Sequence, residues 1–156
     1  MKPVAKSPTP AALAVLRQAT ARWPKRNKAS DGLLPNAAHI AASPNSDHNT
    51  GFAVDLTHDP LRGVDCRDIY EKLQEDNRVK YLIFKGKIWQ AGRGEFSYGG
   101  ANPHNKHLHI SIKDGCGKDT SDWFPWAPKP RLAGKVKAKV SKVKRRKKDP
   151  ASPKED

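Results

Sequence analysis

A chain of 156 residues with a net charge of +14 has the length of one domain with a modest core. The charge is uneven, since residues 129–156 carry 12 Lys and Arg against 3 Asp and Glu, whereas residues 1–128 carry 18 against 13. Two cysteines are too few for a disulfide framework, which excludes a disulfide-rich protein. No apolar run approaches the length of a membrane span, which excludes a protein with membrane-spanning helices.

The first residues do not have the pattern of a secretory signal. Their apolar run is short and is interrupted by Arg17 and Gln18. We therefore expect synthesis in the cytoplasm without a signal peptide. Under those conditions Cys66 and Cys116 are expected to stay reduced, and a bridge between them is the alternative.

The first third of the chain predicts a helix, a loop and a strand. Residues 10–22 place Leu13 and Leu16 near helical spacing, and Pro24 ends that pattern. Residues 25–50 are rich in Asn, Ser, Asp and Pro, which predicts a long functional loop. Residues 52–57 are expected to form a short strand.

The middle of the chain predicts a second helix followed by a hairpin. Residues 65–75 have Ile69 and Leu73 on one helical face. Two β-prone runs, 78–84 and 88–90, are joined by Lys85-Gly86-Lys87, a suitable hairpin turn. The glycine-rich residues 91–105 are expected to form a flexible loop.

The last strand and the aromatic segment after it complete the predicted domain. Residues 106–113 give the clearest strand pattern, and residues 122–126 close the globular part. Helices and strands mix without βαβ regularity, so we predict an α+β fold. The expected organisation is a domain over residues 1–128 and a basic, disordered tail over residues 129–156.

Side-chain alternation on the last strand brings histidines together. Successive side chains on a strand point to opposite faces. One face takes the apolar residues Leu108, Ile110 and Ile112. The other face takes His107, His109 and Ser111, and two histidines on one strand face can share a metal ion or a substrate.

The earlier strand repeats this arrangement with a carboxylate. Its core face takes Phe52, Val54 and Leu56, and its other face takes Ala53 and Asp55. Gly51 allows a sharp entry, so that His48, seven residues before Asp55, can fold back towards it. Ligands of mixed nitrogen and oxygen type with one open position are typical of catalytic zinc, which activates water.

These residues resemble those of a known superfamily. The pattern Ser46-x-His48-x-x-Gly51-x-Ala53-x-Asp55, followed by His107-x-His109, is similar to that of the zinc peptidases grouped with D-Ala-D-Ala carboxypeptidases, lysostaphin-type enzymes and the hedgehog fold. The likeness covers about residues 30–112. It implies one zinc ion held by His48, Asp55 and His109, with Ser46, Gly51 and Ala53 as supporting residues and His107 assisting catalysis.

The same resemblance implies a fold and a reaction. The fold would be a small antiparallel sheet with helices packed on one face and the zinc site on the other. The run from Tyr98 to His104 also looks like that of bacteriophage endolysins. The implied reaction is hydrolysis of a peptide bond in peptidoglycan stems or cross-links, by a monomer that acts at the cell wall or in the periplasm.

One departure from the superfamily favours an endopeptidase. Carboxypeptidases often carry an acidic base three residues before the last zinc histidine, where this chain has Lys106. The additional His104 instead resembles the murein endopeptidase branch, where histidines carry out the acid–base chemistry. A D-Ala-D-Ala carboxypeptidase is the alternative, and the cleaved bond stays open.

Two roles stay open at the sequence level. His107 is the first candidate for the general base, and His104, Asp47 and Glu95 are the others. Arg26 and Arg93 are candidates for binding a terminal carboxylate. His39 and His58 are expected to be polar loop residues without a part in the site.

The basic composition of residues 129–156 predicts attraction to an anionic envelope surface such as lipopolysaccharide, phospholipid or wall polymer. This segment contains the basic cluster Lys144, Arg145, Arg146, Lys147 and Lys148. A solubilising tail without a partner is the alternative. Three other functions are less consistent with the body of the chain: a nucleic-acid-binding protein, a non-haem iron oxygenase and a non-catalytic zinc module.

Overall fold

The structure, a computed structural model, describes residues 3–129. Each α-helix in this range begins after a residue whose side chain caps it. Helix α1 (Pro10–Arg22) follows Thr9, whose hydroxyl accepts a hydrogen bond from the backbone of Ala12. Helix α2 (Ala37–Ala42) and helix α3 (Cys66–Leu73) are capped in the same way, by Asn36 and Asp65 respectively. These side chains satisfy backbone N–H groups that would otherwise lack partners.

Five antiparallel strands form one sheet in the order β1-β5-β2-β3-β4. Their bounds are Ala53–Thr57 for β1, Val79–Phe84 for β2, Lys87–Gln90 for β3, Gly94–Ser97 for β4 and His107–Ile112 for β5. The predicted turn between β2 and β3 is confirmed: Lys85 and Gly86 have φ values of 47° and 77°, as a two-residue hairpin turn requires.

The core lies on one face of the sheet. Both α1 and α3 pack against this face, which presents the alternating apolar residues predicted from the sequence: Val54, Leu56, Leu108, Ile110 and Ile112, all fully buried. The aromatic segment over residues 122–126 closes the core, where the ring of Phe124 contacts that of Trp23 edge to face. The opposite face is therefore left for polar residues.

Two predicted loops contain regular structure. The expected loop over residues 25–50 was wrong in part, because it contains α2 and a 3-10 turn, Asp47–Thr50. The expected loop over residues 91–105 was also wrong in part, because Gly94–Ser97 pairs with β3. Backbone pairing with the preceding strand stabilises this short strand, a contribution that the composition of residues 94–97 alone does not show.

Not all of the predictions concern residues that the structure describes. The tail cluster from Lys144 to Lys148 lies outside them, and the boundary at residue 128 stays a prediction. Cys66 and Cys116 are both free thiols. Among the described helices, none combines the length and apolarity needed to cross a membrane.

Candidate metal centre

The register of β1 and β5 brings a carboxylate and an imidazole together. Asp55 is paired with His109 across the two strands, on the face opposite the core. The Nδ1 atom of His109 lies 3.3 Å from Oδ1 of Asp55. Two residues further along β1, Thr57 is paired with His107, and Nε2 of His107 lies 3.6 Å from the same Oδ1 of Asp55.

A tight turn before β1 brings His48 to the same carboxylate. The hydroxyl of Ser46 caps this 3-10 turn by accepting the backbone N–H of His48, and Gly51 ends it with φ +80°. A Cβ at position 51 would lie 3.0 Å from the carbonyl oxygen of Ser7, so both conformation and space favour glycine there. As a result, Nε2 of His48 lies 3.2 Å from Asp55 Oδ1.

Hydrogen bonds on the far side of each ring fix the orientation of the imidazoles. Nδ1 of His48 donates to the carbonyl oxygen of Leu33 at 2.6 Å, which leaves Nε2 unprotonated when the ring is neutral. Nε2 of His109 lies 2.8 Å from the hydroxyl oxygen of Ser111, so its Nδ1 faces Asp55. Such partners behind the ligands are characteristic of metal-binding histidines.

The donor atoms have the spacing and chemistry that a metal ion requires. Oδ1 of Asp55 is buried, and within the described part of the chain it has no hydrogen-bond partner. Ligand atoms on a tetrahedral zinc ion lie about 3.3 Å apart, given bonds of about 2.0–2.1 Å. The separations of 3.2 and 3.3 Å fit that value, so His48, Asp55 and His109 can hold a metal ion.

The local charges favour an ionised carboxylate. Burial favours the neutral form of Asp55, but the neighbouring His109 and His48 outweigh burial and hold the pKa of this carboxyl far below its ordinary value. Burial likewise opposes protonation of His48, and contact with Asp55 outweighs it and raises the pKa of that imidazole. A buried anion attracts a cation, whether a proton on His48 or a metal ion.

His104 and His107 form a second imidazole pair beside this cluster, with ring centroids 4.9 Å apart. His104 has a φ of 62°, and its backbone N–H donates to the side chain of Asn102. Burial and the nearby His109 and His107 lower the pKa of His104 to about 4, and burial also lowers the pKa of His107. The surroundings therefore favour the neutral form of both rings.

The cluster lines a cavity of about 560 Å³. The ring of Tyr81 stacks on that of His109, with the ring centroids 5.3 Å apart, and the ring of Tyr98 contacts that of His104 edge to face. Among the described residues that line this cavity there is no Lys or Arg. The cavity is of suitable size for a short peptide segment, and it has aromatic walls.

His39 is not the polar loop residue expected from the sequence. It lies in α2 and lines the same cavity, with its ring 5.7 Å from that of His48 and its Nε2 atom 3.3 Å from the hydroxyl of Ser46. His58 lies outside the cavity lining, accepts the backbone N–H of Cys66 and contacts Phe84.

The two acidic candidates for the base have other partners. Glu95 accepts a hydrogen bond from the hydroxyl of Tyr70 and is paired with Trp89, which packs against the core, so Glu95 lies on the helix side of the sheet. Asp47 forms an ion pair with Lys80. Neither carboxylate lines the cavity, which leaves the two histidines as the candidates that do.

The two candidate arginines also have partners elsewhere. Arg26 is buried and forms a two-pronged ion pair with Asp31. Arg93 stacks on the ring of Phe96. The sequence interpretation gave no role to two groups in the site, the carbonyl of Leu33 and the hydroxyl of Ser111. The strand alternation signalled the second of these.

Comparison of the chain with protein-family models, curated proteins and solved structures finds no match.

Proposed function

We propose that this chain is a zinc-dependent peptidoglycan endopeptidase, similar to bacteriophage endolysins and belonging to the superfamily of D-Ala-D-Ala carboxypeptidases, lysostaphin-type enzymes and the hedgehog fold. One observation carries the proposal. The buried Oδ1 of Asp55 lies 3.2 Å from His48 and 3.3 Å from His109, and within residues 3–129 it has no hydrogen-bond partner. A buried carboxylate oxygen in this position is costly unless a cation, either a proton on an imidazole or a metal ion, balances it.

Zinc is the metal that suits these ligands best. Two imidazole nitrogens and one carboxylate oxygen, with an open position, are a common ligand set for catalytic zinc. When bound, such an ion supplies Lewis acidity, which polarises a peptide carbonyl and activates water. The carbonyl of Leu33 and the hydroxyl of Ser111 orient the rings of His48 and His109. The ligand atoms therefore keep their geometry during a reaction.

His107 is proposed to move the proton. Its Nε2 atom is buried, has no hydrogen-bond partner among the described residues and lies beside Asp55. A neutral imidazole there takes a proton from the attacking water and returns it to the amine that leaves. His104 packs against His107 and lines the cavity, so it is the second candidate for this work.

The cavity lining favours cleavage within a peptide over removal of its last residue. A carboxypeptidase needs a cation to bind the terminal carboxylate of its substrate. The described lining holds no Lys or Arg, and both candidate arginines are paired elsewhere. Tyr81 and Tyr98 instead supply aromatic surface along which a stem peptide can lie.

The reaction is tested by mass spectrometry of purified peptidoglycan after digestion with the zinc-loaded protein. Endopeptidase action releases muropeptides with new internal termini, whereas carboxypeptidase action releases free D-alanine. The Asp55→Ala variant is the matched control for contaminating hydrolases. Digestion products identical to those of that control would overturn the proposal.

The expected site of action and the tail complete the proposal. We propose that the protein acts at the cell wall or in the periplasm, and that the basic residues after position 128 attract it to an anionic envelope surface. Deletion of residues 129–156 should then preserve cleavage of soluble muropeptides and weaken attack on intact envelopes. Equal envelope activity would remove this role for the tail, and binding of DNA by the tail alone would assign it to another partner.

A further inference from the structure

The histidine cluster contains more donor atoms than one zinc ion needs. His48, Asp55 and His109 form one set whose ligand atoms all lie within 4.8 Å of one another. Asp55, His104 and His107 form a second set that meets the same condition. Because a catalytic zinc site uses three protein ligands and keeps one position open, the second pair of histidines is not needed to hold that ion.

The remaining donors are buried and point to a ligand of their own. Nδ1 of His104 and Nε2 of His107 are both buried, and neither has a hydrogen-bond partner in the portion of the chain that the structure describes. Buried polar nitrogens without partners are destabilising, and they are rare in folded proteins. Two such atoms beside one carboxylate require either ordered water or a cation.

The backbone around His104 holds its ring in this position. Residue 104 has a left-handed φ of 62°, which is uncommon for residues other than glycine and asparagine. The strain is held by three hydrogen bonds: Lys85 donates to the carbonyl of His104, Gly86 donates to that of Pro103, and His104 itself donates to Asn102. The ring is thus preorganised against His107 and Tyr98.

We infer that His104, His107 and Asp55 form a second site for a divalent metal ion, which shares the Asp55 carboxylate with the first. Imidazole ligands select borderline ions, so Zn²⁺ is the expected occupant. The second ion should bind at least about tenfold more weakly than the first, because two divalent cations that share one carboxylate repel each other. An ion held here would occupy Nε2 of His107, so the base proposed above acts only while this second site is empty. The inference itself concerns metal binding and is tested without an activity assay.

The experiment measures zinc stoichiometry. Metal-free protein is titrated with Zn²⁺ by calorimetry, and the bound metal is counted by mass spectrometry of the dialysed protein. The wild type should bind one ion tightly and a second more weakly. His104→Asn should keep the first ion and weaken the second by at least about 100-fold, since asparagine tolerates the left-handed backbone but removes the imidazole.

Two further variants guard against misfolding and non-specific effects. His107→Ala changes a different element, the start of β5, and should lose the same weaker ion while keeping the first. Lys106→Ala, at an exposed neighbouring position, should bind zinc as the wild type does. Binding of only one ion by the wild type at saturating zinc would overturn the inference. A second ion that persists unchanged in both histidine variants would also overturn it.

Discussion

Gly32 lies directly against the carboxylate of Asp55. The two residues exchange backbone hydrogen bonds, at 3.1 and 2.8 Å, along the free edge of β1. A Cβ atom at position 32 would lie 3.0 Å from Oδ2 of Asp55, closer than such contacts normally allow. The absence of a side chain at this position therefore lets Asp55 turn its other oxygen, Oδ1, towards the three histidines.

Substitution of this glycine should weaken metal binding although residue 32 is not a ligand. In Gly32→Ala the added methyl group must displace the Asp55 carboxylate, and we expect zinc affinity to fall about tenfold, as for other groups that orient ligands. Calorimetric titration of the metal-free protein measures this. Gly99→Ala is the matched control, because a Cβ there meets no neighbouring atom within 4 Å. Equal affinity in the two variants would contradict the steric account.

His107→Ala should separate metal binding from turnover. The first metal site does not use His107, so the tightly bound zinc ion should remain. Loss of the proposed proton carrier should lower kcat on soluble muropeptides by at least about 100-fold. Zinc content and peptide hydrolysis are measured on the same preparation, with Lys106→Ala as the control. A variant that keeps full turnover would exclude His107 as the base.

Arg78 should be important for stability and remote from the chemistry. Its guanidinium pairs with Asp76 at 2.7 Å, donates to the carbonyl of Ser121 at 2.8 Å and lies 3.6 Å from the ring of Trp123. Arg78 and Trp123 are buried, and Arg78→Ala removes the guanidinium that joins these groups, so the free energy of unfolding should fall by about 3 kcal/mol.

Denaturant unfolding of the metal-free protein measures the effect of that substitution. Arg67→Ala, at an exposed position of α3, is the control and should change stability little. If both variants unfold at the same denaturant concentration, the Arg78 network does not stabilise the fold.

The two cysteines should differ sharply in reactivity. Cys66 is fully buried, and burial raises the pKa of its thiol, which suppresses the reactive thiolate at pH 8. Cys116 is half-buried. Iodoacetamide should therefore modify Cys116 in the native protein and reach Cys66 only after unfolding, as followed by intact and peptide mass spectrometry. Equal labelling rates would contradict the burial of Cys66.

Strand alternation explains how much of the site could be predicted from the sequence. A period of two places Asp55 and His109 on the face opposite Leu108 and Ile110 whatever the order of the strands, and the structure confirms that assignment. Gly51, which ends the turn that carries His48, was likewise identified from local chemistry.

Two of the remaining features depend on partners outside the segment itself. The carbonyl of Leu33 orients His48 across 15 residues, and a backbone carbonyl has no signature in the sequence. Residues 94–97 form a strand because β3 is beside them, since their glycine-rich surroundings alone predict a loop. The short α2 had a local signal in Asn36 followed by helix formers, and it brings His39 to the cavity.

The central claim is that zinc held by His48, Asp55 and His109 is required to cleave peptidoglycan. The most direct test is digestion of purified peptidoglycan by metal-free protein, by the same protein reloaded with one equivalent of zinc, and by the alanine variants of the three ligands. We predict new muropeptide termini with the reloaded wild type alone, together with loss of tight zinc binding in every variant. Cleavage by zinc-free wild-type protein would contradict the account.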